Sequence, residues 1–149
     1  GAKNYKELRL SAIASYHIVI AFMSLTALIF VFANNYLPYI YTNDLKVIGI
    51  AAKLLLLAAL FQLFDGTQVV GLGVLRGLGD VNMPTFITFL SYWIIGIPVG
   101  YVLGFQLGLG VDGIWYGLTF GLLAASILLF IRFQNRTKKL LENPIELKV

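Results

Sequence analysis

Cysteine is absent from this 149-residue sequence, and histidine occurs only once. The lack of cysteine excludes a disulfide framework and any thiolate metal site, and it leaves the redox compartment open. The sequence also lacks a zinc-binding HExxH motif, a P-loop and the GxSxG turn of serine hydrolases. We therefore predict that the chain is not an enzyme and that it holds no cofactor.

Charge is also scarce, because only 12% of the residues are charged and 59% are hydrophobic. Soluble domains average about 25% charged and about 45–50% apolar residues, so this composition indicates a membrane protein in contact with lipid. The net charge is +4, but the Lys and Arg residues gather at the ends of apolar segments. They form no basic helix interleaved with aromatics, so nucleic acid is not an expected partner.

Four apolar segments follow one another along the chain, and about 20 apolar residues are enough to cross a bilayer. We predict an all-α membrane protein whose four transmembrane helices cover residues 11–32, 44–75, 84–105 and 111–133. Residues 1–10 are predicted to form a cytoplasmic loop, and residues 134–149 a basic cytoplasmic tail. The first residues do not resemble a signal peptide and begin at Gly1, so we expect a piece of a larger protein.

Local signals refine the helices. Asp44 is a predicted N-cap of the second helix, and Pro98 predicts a kink near residues 94–98 of the third. Small residues recur every fourth position in both later helices, which predicts close packing of helix backbones in lipid. The two series are Gly96, Gly100, Gly104 and Gly108, and Gly113, Gly117, Gly121 and Ala125.

Orientation follows from the basic residues that flank the helices. One side carries Lys and Arg before the first helix, between the second and third, and after the fourth, whereas the other side carries Lys46 alone. Because cytoplasmic loops carry an excess of Lys and Arg, both ends of the chain are predicted to be cytoplasmic. We expect a multi-pass protein of the cell (inner) membrane.

Asp65 is the unusual residue, because it lies about 20 residues into the second segment, at bilayer depth. At about 100° per residue, Gln62, Asp65 and Gln68 share one arc about 120° wide. Lys53 lies roughly 18 Å away along the helix axis and is expected to extend toward the membrane surface instead.

Two interpretations of Asp65 remain open. In the first, its side chain forms hydrogen bonds that hold neighbouring helices together. In the second, it binds Na⁺ or H⁺, since a carboxylate beside amide oxygens suits a hard cation. Gln62 and Gln68 are then candidate ligands, with the remaining ligands from other helices. His17 is either a packed residue or part of a proton relay, and Tyr92 and Trp93 either line a cavity or pack in the core.

The run "FQLFDGTQVVGLGVLRGLGDVNMP", followed by "SYWIIGIPVGYVLG", resembles the C-terminal lobe of the multidrug and toxic compound extrusion (MATE) family. That family has twelve helices in two lobes, and this chain is similar to the last four. The resemblance implies an antiporter that exports drugs or organic cations in exchange for Na⁺ or H⁺ by alternating access. Its partners would be the organic cation substrate and the preceding helices of the same protein.

The resemblance also assigns individual residues. Asp65 matches a carboxylate of the tenth helix that contributes to the cation site in several members. A second acidic residue comes from a helix outside this chain, and other members couple through the N-terminal lobe. The cytoplasmic loop motif of the family matches Arg76, Gly77, Gly79 and Asp80.

Two alternatives to a cation-coupled exporter stay open. A related flippase for lipid-linked or polysaccharide cargo would show several basic residues facing a cavity, whereas only Lys53 lies within a segment. A four-helix membrane assembly subunit with no transport activity would be complete at this length.

Overall fold

The computed structural model describes residues 4–142, and every regular element in that range is helical. Four helices are long and apolar enough to cross a membrane: α1 (Tyr5–Ala33), α2 (Leu45–Gly77), α3 (Asn82–Gln106) and α4 (Gly110–Glu142). A short 3-10 helix, Leu37–Ile40, connects α1 to α2. The predicted all-helical membrane fold with four spanning helices is confirmed.

The first and last helices of the chain, α1 and α4, extend beyond the predicted apolar segments. α1 begins at Tyr5 and α4 continues to Glu142, because polar residues such as Lys, Arg and Gln favour helix as strongly as many apolar ones do. Residues 134–142 of the predicted tail are therefore helical. The described residues exclude 1–3 and 143–149. Lys3 and Lys148, two of the basic residues on which the predicted orientation rests, lie in these excluded ranges.

The N-termini of α1 and α2 are capped by side chains that accept hydrogen bonds from free backbone N–H groups. Asn4 accepts from the Glu7 N–H at 3.4 Å, and Asp44 accepts from the Lys46 N–H at 2.8 Å. The predicted N-cap role of Asp44 is confirmed.

In space the helices follow the order α1, α2, α4, α3, since α2 packs between α1 and α4, and α4 packs between α2 and α3. The core lies where α1, α2 and α4 meet, and its buried side chains are Ala12, Tyr16, Leu75, Leu129 and Phe133. Many large apolar side chains on the outer faces remain exposed, as expected where a helix meets lipid or further helices.

α3 and α4 approach each other along the two glycine series. A Cβ atom on Gly117 would lie 2.2 Å from the Gly100 Cα, which leaves no room for any side chain. Equivalent contacts join Gly113 to Gly104, and Gly121 to Gly96. The predicted close packing is confirmed for these residues. Gly108 is different: its φ of +72° places it in the turn between the helices, where nothing lies near it.

Near Pro98, where the sequence predicts a kink at residues 94–98, the structure has a wide helical turn. A π-helical segment, Ser91–Gly96, comes directly before it, and the Ile97 N–H donates to the Tyr92 carbonyl five residues back. A second π segment follows at Val102–Gln106. Wider turns hold more residues per turn, so the glycines of α3, four residues apart, stay on the face toward α4 instead of drifting around the helix.

Candidate functional site

Asp65 lies in the middle of α2 and is half-buried. Within residues 4–142, no basic side chain forms a salt bridge with it. Lys53 is exposed and lies three turns earlier on the same helix. Placing a charged carboxylate in the membrane without a basic neighbour costs free energy, and binding a proton or a cation would reduce that cost.

Gln62 lies one turn before Asp65 and contacts α1. Its Oε1 accepts a hydrogen bond from the Thr26 hydroxyl at 3.2 Å. Its Nε2 is buried and has no hydrogen-bond partner in the part of the chain that the structure describes. An unpaired amide donor at this depth is costly, so this group is suited to a further acceptor beside Asp65.

Gln68 lies one turn after Asp65 and contacts α3. It is buried, and its Oε1 accepts a hydrogen bond from the Tyr92 hydroxyl at 3.1 Å. The neighbouring Trp93 is exposed and packs on Phe89 with ring centroids 5.5 Å apart. The structure therefore brings Tyr92 to Gln68, one turn after Asp65, whereas Trp93 packs on Phe89 instead.

The three polar residues of α2 thus reach two helix interfaces. Gln62 is hydrogen-bonded to α1, Gln68 is hydrogen-bonded to α3, and Asp65 lies between them along the helix. Both amide oxygens already accept a hydrogen bond. No group of three His, Cys, Asp or Glu residues is found within residues 4–142. A Na⁺ site at Asp65 would therefore need further oxygen ligands.

His17 lines a separate cavity of about 400 Å³ between α1, α2 and α4. Thr67 and Ser126 also line this cavity, but most of the lining is apolar. The Tyr16 hydroxyl borders this cavity, is buried, and has no hydrogen-bond partner among residues 4–142. Asp65 is not part of the lining, so nothing in this geometry connects His17 to it.

The loop between α2 and α3 is a tight turn built on glycine. Gly79 has a φ of +77°, and its N–H donates to the Arg76 carbonyl at 2.9 Å. The Asp80 N–H donates to the Leu75 carbonyl at 2.9 Å. This pair of bonds is the Schellman motif, which needs a left-handed residue such as glycine after the helix. Gly77 lies in the last turn of α2, and Arg76 is exposed.

The same turn positions Asp80, whose side chain is only 7% exposed. Its Oδ2 accepts a hydrogen bond from the Arg132 Nε at 2.6 Å, and the Arg136 Nε lies 3.6 Å away. Sequence reasoning missed this link between the loop and α4. The available signal was one acidic residue in a short loop on the same side of the membrane as the basic end of the last helix.

Comparisons with known proteins agree with this geometry. The family model described as MatE matches residues 1–102. The chain is 43% identical to "Probable multidrug resistance protein NorM" of Xylella fastidiosa over 85% of its own length and 27% of that protein. It is 38% identical to "Multidrug resistance protein MdtK" of Photorhabdus laumondii over 93% of its own length and 31% of that protein.

A solved structure shares the fold. The crystal structure of the eukaryotic MATE transporter AtDTX14 aligns with 96% of this chain at a TM-score of 0.83 and 24% identity. The aligned part is 33% of that transporter. The chain therefore spans about a third or less of the proteins that it matches.

Proposed function

Since the chain belongs to the MatE family, we propose that it forms the last four helices of a twelve-helix exporter of drugs or organic cations. Relatives named as multidrug resistance proteins support this proposal, and so does the share of their length that the chain spans, which is 27% and 31% for two of them. The protein would lie in the cell (inner) membrane with both ends of this segment in the cytoplasm.

The observation that carries the proposal is the half-buried Asp65 carboxylate in the middle of α2, without a salt bridge in the described range. Binding of H⁺ or Na⁺ at Asp65 would neutralise a charge that is costly in the membrane. The exporter would exchange this ion for the organic cation. Gln62 and Gln68 would position the carboxylate between α1 and α3, and the buried Gln62 Nε2 would be available to it or to a ligand from a preceding helix.

Coupling would proceed by alternating access. An ion can shift the equilibrium between outward-open and inward-open states only if it binds one state more tightly. The ion affinity of Asp65 would differ between the two states, because its neighbours Gln62 and Gln68 are hydrogen-bonded to different helices. A change at Asp65 would therefore act on the α1–α2 and α2–α3 contacts together.

We expect Asp65→Asn to abolish ion-driven efflux, because asparagine neither exchanges a proton near neutral pH nor offers a charge to Na⁺. The measurement is ethidium efflux from proteoliposomes that contain the complete transporter, under an imposed Na⁺ gradient and separately under an imposed H⁺ gradient. The gradient that drives the unmodified protein identifies the coupling ion.

Asp44→Asn is the matched control, because it makes the same substitution on the same helix. Asparagine is as good an N-cap as aspartate, so helix α2 is preserved and efflux should be unchanged. Asp65→Glu, which keeps the carboxylate, should retain part of the activity if the asparagine variant is folded. Efflux at the level of the unmodified protein in Asp65→Asn would remove this residue from the coupling mechanism.

A further inference from the structure

One face of α4 changes from apolar to cationic toward its C-terminal end. Leu128 and Ile131 come first, and Arg132, Arg136 and Lys139 follow. Ile131 and Arg132 lie three and four residues after Leu128, and Arg136 and Lys139 follow after four and three more, which places these side chains along one side of the helix. With Ile87 of α3, they line a cavity of about 300 Å³ between the two helices.

The charges in this cavity are not balanced. Arg132 is paired with Asp80 at 2.6 Å, and Arg136 is 3.6 Å from the same carboxylate oxygen. Lys139 forms no salt bridge within residues 4–142. Two of the three cations that line the cavity therefore share one carboxylate, and these four groups carry an excess of two positive charges. The Arg136 side chain is 38% exposed, so it is accessible to a ligand in the cavity.

We propose that this cavity binds the headgroup of an anionic phospholipid. The stripe from Leu128 to Lys139 covers roughly 16 Å along the helix axis. Its order, apolar and then cationic, is the order of an acyl chain and its phosphate. A free anion would explain the cationic end but not the apolar walls. Basic pockets between transmembrane helices on the cytoplasmic side are suited to anionic headgroups.

The position of the cavity agrees with this ligand. The cationic end lies at the same end of the bundle as the α2–α3 turn, because Arg132 contacts Asp80. The excess of Lys and Arg assigns that end to the cytoplasm, where the leaflet carries anionic lipids. The proposal concerns binding only and does not depend on the proposed transport activity.

The test measures lipid affinity with the complete transporter in detergent. Native mass spectrometry follows the binding of dioctanoyl phosphatidylglycerol, with dioctanoyl phosphatidylcholine and inorganic phosphate as comparison ligands. The variant R136Q/K139Q removes two charges and leaves the Arg132–Asp80 pair intact. We expect its affinity for phosphatidylglycerol to fall roughly twenty- to thirtyfold, and each single variant to lose roughly fivefold.

The matched control is R76Q/K138Q, which also removes one Arg and one Lys from the same end of the bundle. Arg76 and Lys138 are exposed and do not line the cavity. We expect this variant to bind phosphatidylglycerol as the unmodified protein does. An equal loss in both double variants would show general surface attraction and overturn the proposal. Equally tight binding of phosphatidylcholine or inorganic phosphate, or no phosphatidylglycerol bound at all, would also overturn it.

Discussion

Replacing Gly117 with alanine is expected to lower the free energy of unfolding by about 3 kcal/mol, the upper end for overpacking a tight interface. The new Cβ would lie 2.2 Å from both the Cα and the N of Gly100. These are backbone atoms, so no side chain can rotate away, and α3 and α4 must separate. The measurement is the thermal unfolding midpoint of the detergent-solubilised protein.

Gly73→Ala provides the control for this substitution. Gly73 is exposed within α2, and a Cβ there would meet nothing within 4 Å. Alanine favours helix over glycine, so this variant should be unchanged or stabilised by up to about 1 kcal/mol. If both alanine variants melted at the same temperature, the α3–α4 interface would be looser than the structure describes.

Replacing Asp80 with alanine is expected to cost about 2–3 kcal/mol of unfolding free energy. Removing one partner of a buried ion pair usually costs about 3–5 kcal/mol, because the other charge stays behind. Here the Arg132 side chain is 25% exposed, so water offsets part of that cost. The measurement is again the unfolding midpoint, read together with that of R132Q and of the double variant D80A/R132Q.

The double variant tests whether the two residues act on each other. We expect it to lose clearly less than the sum of the single losses, because Arg132 no longer remains as a charge without its partner. The surface pair Lys138–Glu142 is the comparison, with side chains 71% and 61% exposed and 3.9 Å apart. Glu142→Gln should cost less than about 0.5 kcal/mol. Strictly additive losses for Asp80 and Arg132 would contradict a stabilising pair.

The features that could be predicted from the sequence are those that depend on neighbours along the chain. The lengths of the apolar runs predicted four spanning helices, and the spacing of the glycines predicted close packing of helix backbones. Asp44 as an N-cap needs only the N–H of Lys46 two residues later. In each case residues close together in the sequence are enough to explain the feature. The apolar runs are buried in lipid, the glycines leave space for a neighbouring backbone, and Asp44 binds a nearby N–H group.

The remaining features depend on residues far apart in the chain. A helical wheel placed Gln62 and Gln68 in the same arc, but an arc that wide reaches two neighbouring helices, and the wheel does not identify them. The pair Asp80–Arg132 joins residues 52 positions apart. Pro98 predicted a kink, whereas the structure has wide π-helical turns before and after it, which depend on how α4 packs against this helix.

The separation of Asp80 and Arg132 also sets an order of events during synthesis. Because the chain is made from its N-terminus, Asp80 is added 52 residues before Arg132. The pair closes only after α3 and the first two thirds of α4 have been made. A chain that stops before Arg132 keeps an unpaired acidic group at this turn and lacks the contact that holds the end of α4 to the end of α2.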